Sequence, residues 1–239
     1  MTTRIACLGD SLTRAQFSVD YLDLLARSRP PGDVQLARFG ANGDFAYNLL
    51  QRLDAVVTNP PDVITVLIGT NDARASLAGY PVEQAMKRKQ LPDRPSAGWF
   101  QQCLGTVVTR LRAETDATIG LLSLPVLGQQ LDGTAAQASQ AYSRMIAEVA
   151  AANKVAYLPL HERQIEELRQ ADPPPMEYRE VTPAAAVGVL VQHAVLRRSL
   201  DTISRRRGLM LTTDHIHQNS RGATLIAEVI DANLLNQSA

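Results

Sequence analysis

Cysteine is scarce: the chain has two in 239 residues, and neither has a partner motif nearby. No disulfide framework is expected, and Cys7, inside Ile5-Ala6-Cys7-Leu8, reads as a small buried hydrophobe. Aromatic residues are few at 5%, which gives no sign of a sugar-stacking platform. Neither sign of charge is in excess, because 24 basic residues balance 24 acidic ones. The chain therefore lacks the positive field that gathers nucleic acid, and no DNA or RNA partner is expected. Long apolar runs are also missing. The longest charge-free apolar stretch, Pro183–Leu196, contains Gln192 and His193 and falls short of the ~18 residues of a membrane span. A secretory leader would need about 7–15 apolar residues ahead of the mature domain, yet a catalytic-looking motif already begins at Gly9, so a cytoplasmic location is expected. There is no internal repeat, and the only low-complexity tract is Pro173-Pro174-Pro175.

What the chain does have is a 45% hydrophobic content, enough to bury a large core in one α/β domain spanning 1–239. Short apolar runs alternate with segments of helical period, the pattern of parallel strands joined by crossover helices. Five strands are predicted: Arg4–Leu8, Val34–Phe39, Val63–Ile68, Thr118–Ser123 and Val155–Pro159. Helical faces are predicted from Phe17, Tyr21, Leu24 and Leu25, and from Leu49, Leu50, Leu53 and Val57. Two more follow from Leu104, Val107, Val108 and Leu111, and from Tyr142, Met145, Ile146 and Val149. A last helix is expected at about Arg221–Leu235. Two stretches break the alternation and read as insertions, at about 79–98 and 162–211. The second is predicted to hold a short helix, the proline run, and a longer helix over about Ala184–Arg207 ended by a left-handed Gly208.

The chemistry gathers at predicted strand ends. Strand one runs into Gly9-Asp10-Ser11-Leu12, which puts Ser11 at the carboxyl edge of the sheet, just before a helix. Ser is also a favoured N-cap, so this placement alone does not make it a nucleophile. A nucleophilic serine needs a base, and the base needs a group to fix its tautomer. His217 lies three residues after Asp214 in Thr213-Asp214-His215-Ile216-His217, a spacing that puts both side chains on one side of a turn. Two further strand ends carry Gly40-Ala41-Asn42-Gly43-Asp44 and Gly69-Thr70-Asn71-Asp72. Glycine lets a backbone amide approach a ligand, and asparagine offers a neutral N–H donor, although both are ordinary turn residues.

These four blocks, in this order and over nearly the whole chain, resemble the GDSL, or SGNH, hydrolase family. The resemblance implies a three-layer, flavodoxin-like α/β sandwich on a five-stranded parallel sheet. It implies Ser11 as nucleophile, His217 as base and Asp214 as its orienting acid. The oxyanion hole would comprise Ser11 N–H, Gly43 N–H and the Asn71 amide. The chain departs from the family pattern at His215, where glycine is usual, and at Gln218, where proline is common. The expected substrates are short acyl or acetyl esters, with lipids and thioesters within the family's range, and no metal or cofactor is expected.

Three other readings remain. Asp214, His215 and His217 form a HxH-type cluster that suits a metal-dependent hydrolase, although His161 and His193 supply no companion motif. A non-catalytic binding module on the same fold is the second, and an acyltransferase with the same triad is the third. The run from Arg197-Arg198 to Arg205-Arg206-Arg207 suits either an anionic surface or a solvated helix face. The segment 79–98, with Trp99-Phe100, suits either a lid or a surface loop.

Overall fold

A computed structural model describes residues 1–181, 188–189 and 197–236. Five strands form one parallel sheet: β1 (Thr3–Gly9), β2 (Val34–Gly40), β3 (Val63–Leu67), β4 (Thr118–Leu122) and β5 (Ala156–Leu158), in the order β2-β1-β3-β4-β5. Strands β1 and β3 are buried along almost their whole length, as expected of continuous apolar runs covered on both faces. All five predicted strands are present within two residues. β5 is the shortest because Pro159 has no N–H to extend the ladder and instead precedes a helix.

The helices are α1 (Ser11–Arg14), α2 (Tyr21–Ser28), α3 (Ala46–Leu50), α4 (Asp54–Val57), α5 (Thr70–Ala75), α6 (Val82–Lys89), α7 (Ala97–Glu114), α8 (Thr134–Asn153), α9 (Leu160–Ala171), α10 (Leu200–Arg206) and α11 (Ser220–Ile230). A π-helical turn, Asp231–Leu235, follows the last of these. From β1 the chain moves one way along the sheet to β2, then reverses to β3, β4 and β5. Right-handed crossovers therefore place α2 on one face and α3 to α8 on the other. Contacts agree: α2 packs on α11, and α11 on α9, while α3 packs on α7, and α7 on α8. The result is the three-layer α/β sandwich. In this strand order the reversal lies between β1 and β3, where open α/β sheets bind ligands beyond the strands' carboxyl ends.

Several boundaries differ from the sequence reading. The Phe17–Leu25 face is not one helix, because Asp20 accepts from Leu22 N and Asp23 N and so starts α2 at Tyr21, leaving Phe17 in the preceding turn. The face from Leu49 to Val57 is split into α3 and α4 by a turn at 51–53. That turn lets the Arg52 guanidinium reach Asp44, Phe39 O and Gly9 O at 2.8, 2.8 and 2.7 Å. The insertion 79–98 contains α6. The predicted helix over Ala184–Arg207 is not continuous. Arg197 has φ +50°, and Ser199 is the N-cap of α10. The rest of that prediction, with His193, lies outside the described residues. Gly208 does follow α10 at φ +69°, in the left-handed conformation expected of it. Among the described residues no helix is long and apolar enough to cross a membrane.

Candidate active site

Ser11 opens α1 directly beyond β1. Asp10 caps that helix, its buried carboxylate accepting from Leu12 N at 2.9 Å, so Ser11 is free of the capping task. Its hydroxyl lies 3.1 Å from His217 Nε2, across 206 residues of sequence. His217 Nδ1 lies 2.8 Å from Asp214 Oδ2, and Asp214 Oδ1 accepts from His217 N at 2.9 Å and Ile216 N at 3.3 Å. With a carboxylate at Nδ1, the imidazole carries its proton there and presents a lone pair at Nε2 to the serine. Burial by itself raises the Asp214 carboxyl, but the His217 charge and the hydrogen bonds from His217 and Ile216 outweigh it, and the group is held below its ordinary value.

The Asp214–His217 segment is a tight loop, clasped by Thr213 N donating to His217 O at 2.7 Å and by an antiparallel bridge between Thr212 and Gln218. His215 sits at its apex with φ +73°. This left-handed conformation explains why glycine suits the position. Its ring turns away from Ser11 and meets Tyr178 edge-on, at 6.0 Å between centroids. Burial lowers its pKa, and the nearby Arg179 and Arg207 charges add to this. Both nitrogens of His217 are engaged, by Asp214 and by Ser11. Among the described residues no group of three or more His, Cys, Asp or Glu side chains converges as metal ligands would.

Gly43 and Asn71 also reach the site, and both line a cleft of about 310 Å³ with Ser11 and His217. Gly43 has φ +71°, and no backbone carbonyl takes its N–H among the described residues. Asn71 is held by neighbours. Its Nδ2 donates to Asp44 O at 2.9 Å and, weakly, to Asp10 Oδ2 at 3.4 Å, while its Oδ1 accepts from Arg74 Nη1 at 2.8 Å. The block carrying it turns at Gly69, where φ is +116° and a Cβ would stand 2.6 Å from the Phe100 ring, so a side chain there has no room. Asp72, next to Asn71, is buried, accepts from Ala46 N at 3.2 Å, and is pushed up to about 7 chiefly by burial. Asp10 is likewise pushed up by burial, to about 6.

Sequence reasoning missed the groups around this centre. Arg74 pairs with Glu180 and covers the Tyr80 ring at 5.1 Å, and Tyr178 OH donates to Glu180 at 2.7 Å. Glu180 belongs to the stretch 162–211, so that insertion reaches the cleft and locks onto α5. The signal for Arg74 was its i+3 spacing from Asn71 on one helix. Glu180 left none, since its partner is 106 residues away. The insertion 79–98 contributes Tyr80, Gln84 and Arg88 to the lining of the cleft. Phe17, taken for a helix-face residue, instead packs against the His217 ring at 5.2 Å.

The fold is shared with solved acetylxylan esterases. Axe2 from Geobacillus stearothermophilus is 16% identical, with 96% of this chain and 93% of that one covered and a TM-score of 0.67. The acetyl xylan esterase AlAXEase is 18% identical, with 96% and 98% covered and a TM-score of 0.68. At these identities the likeness is one of fold. Comparison with curated proteins finds no match. The pattern of the GDSL-like lipase/acylhydrolase family matches residues 7–225, almost the full length, and the chain therefore belongs to that family of carboxylic ester hydrolases.

Proposed function

We propose that the chain cleaves small carboxylic esters, acetyl or other short acyl, through an acyl-enzyme on Ser11. The observation that carries this reading is the continuous line from Ser11 Oγ to His217 Nε2 at 3.1 Å and from His217 Nδ1 to Asp214 Oδ2 at 2.8 Å. Ser11 Oγ attacks the acyl carbon as its proton passes to His217 Nε2. The imidazolium formed is stabilised by Asp214, which keeps its own charge. The same proton is then given to the departing alkoxide, and the alcohol leaves. Water, deprotonated by His217, attacks the acyl-enzyme and returns Ser11 and the free acid.

Both tetrahedral intermediates bear an oxyanion, for which Ser11 N–H, Gly43 N–H and Asn71 Nδ2–H are the proposed donors. Asn71 keeps one hydrogen on Asp44 O and releases the other from its weak 3.4 Å contact with Asp10. Arg74, bound to Asn71 Oδ1, fixes which end of the amide faces the reacting oxygen. The modest cleft supports a short acyl group, as does the fold shared with acetylxylan esterases. The test is a panel of nitrophenyl esters of rising chain length beside acetylated sugars and acyl-thioesters. Turnover is expected on the short esters and is lost in Ser11→Ala and His217→Ala. Hydrolysis that survives Ser11→Ala contradicts the reading.

A further inference from the structure

Several charges around the cleft are paired with one another. Glu180 is taken by Arg74 and Tyr178, and Asp214 by His217. Asp44 is shared by two cations, Arg52 Nε and Lys89 Nζ, each at 2.8 Å. These three carboxylates are thus matched or over-matched, while Asp10 and Asp72 lie buried beneath the cleft with no ion-pair partner among the described residues. Arg88, one residue before Lys89 in the last turn of α6, has no carboxylate partner among the described residues, and it forms part of the cleft wall. Its Nη2 stands 3.4 Å from where a Cβ on Gly43 would be, directly beside one of the proposed oxyanion donors. The other polar side chains of that wall, Asn42 and Gln84, are neutral.

A cation in the last turn of a helix also suits the helix dipole. That accounts for Lys87 equally well, but not for a guanidinium lodged over Gly43 in the wall of the catalytic cleft. A planar fork of N–H donors with unpaired charge, on an exposed side chain that lines the cleft, matches the two oxygens of a carboxylate. We propose that Arg88 is a specificity-determining residue that binds an anionic group, a carboxylate, carried by the ester substrate near the bond that is cleaved. This rests on the hydrolytic reading of Ser11, and it narrows the substrate class to acidic esters.

The test uses matched pairs that differ in one charge and hardly in size. Monomethyl succinate against methyl butyrate places the charge on the acyl side. 4-Acetoxybenzoate against 4-tolyl acetate places it on the alcohol side. The expected result is a preference of about tenfold in kcat/KM for the anionic member of one pair, the size of a charge-assisted hydrogen bond. Which pair shows it assigns the side on which the carboxylate sits. Arg88→Gln brings that ratio to about one, Arg88→Glu inverts it, and Arg88→Lys keeps part of it, with thermal unfolding recorded for each variant as a check on folding. Equal rates for both members of both pairs in the parent enzyme overturn the proposal. So does a parallel loss on neutral and anionic members in Arg88→Gln with the ratio intact. Ser11-dependent hydrolysis blind to charge overturns this inference alone, whereas hydrolysis of neither member, or hydrolysis independent of Ser11, overturns the reading beneath it as well.

Discussion

Three side chains carry the account at the smallest scale, and each makes a distinct prediction. Ser11→Ala and His217→Ala remove nucleophile and base, while Asp214→Asn removes only the group that fixes the imidazole tautomer. The last is therefore expected to lose turnover, by up to about 10⁴-fold, with its unfolding midpoint above pH 7 changed far less than its rate. Asn71→Ala should lower kcat by about 10²–10³-fold, the usual cost of one oxyanion donor, with a smaller change in KM. His215 tests the backbone rather than the chemistry. At φ +73° a β-branched side chain is strained, so His215→Val should be less stable than His215→Gly by about 1–2 kcal/mol in urea titration. At this scale the sequence spoke through its motifs: Ser11, Asp214 and His217 stood out by residue type and spacing, Gly43 and Asn71 by the resemblance to the family, and the fold brings Ser11, Gly43, Asn71 and His217 to one cleft with Asp214 behind His217. Glu180 and Arg88 were silent, because their meaning lies in partners distant in sequence and only proximity in space gives it, whereas Arg74 showed no more than its i+3 spacing from Asn71.

At the scale of elements, strand-to-helix turns do the positioning, and glycine is what lets them be tight. Gly69 shows this best. A methyl there meets the Phe100 ring at 2.6 Å in a backbone conformation that L-residues resist. Gly69→Ala is therefore expected to cost about 2–3 kcal/mol and to lower activity further by shifting the Asn71 turn, measured as a fall in both melting temperature and kcat. Strands were legible because period and apolar run length are local properties. Helix boundaries were less so. The Leu49–Val57 face reads as one helix, yet Arg52 reaches three distant acceptors by breaking it. The helix of the Phe17–Leu25 face starts late because Asp20 caps the backbone inside it. In each case a polar side chain overrode the apolar period, Arg52 through distant acceptors and Asp20 through a local cap.

For the molecule as a whole, burial has been traded against charge. Asp10 and Asp72 lie under the site with carboxyls pushed up from 3.8 to about 6 and about 7 by desolvation. A folded state that holds these protons longer than the unfolded chain loses stability as pH rises through the window from about 4 to about 7, and levels off above it. Asp214, held low, acts in the opposite sense, its contribution lost only as pH falls below the ordinary carboxylate range. The denaturant midpoint is therefore expected to carry a falling component between pH 5 and pH 8 from these two carboxyls, set against a rise from His161 and His215, which burial holds below the ordinary histidine value. Asp72→Asn should shrink that falling component, and an unchanged slope in the variant would count against the burial argument. The sandwich itself followed from alternation of strand and helix. How the two insertions return to wall the cleft did not, because no periodicity records it.

The most direct test of the central claim is the intact mass of the protein after exposure to a fluorophosphonate. The account predicts one adduct per chain, mapped to Ser11, absent in Ser11→Ala and slow to form in His217→Ala. An unmodified parent protein, or an adduct that persists when Ser11 is removed, would contradict it.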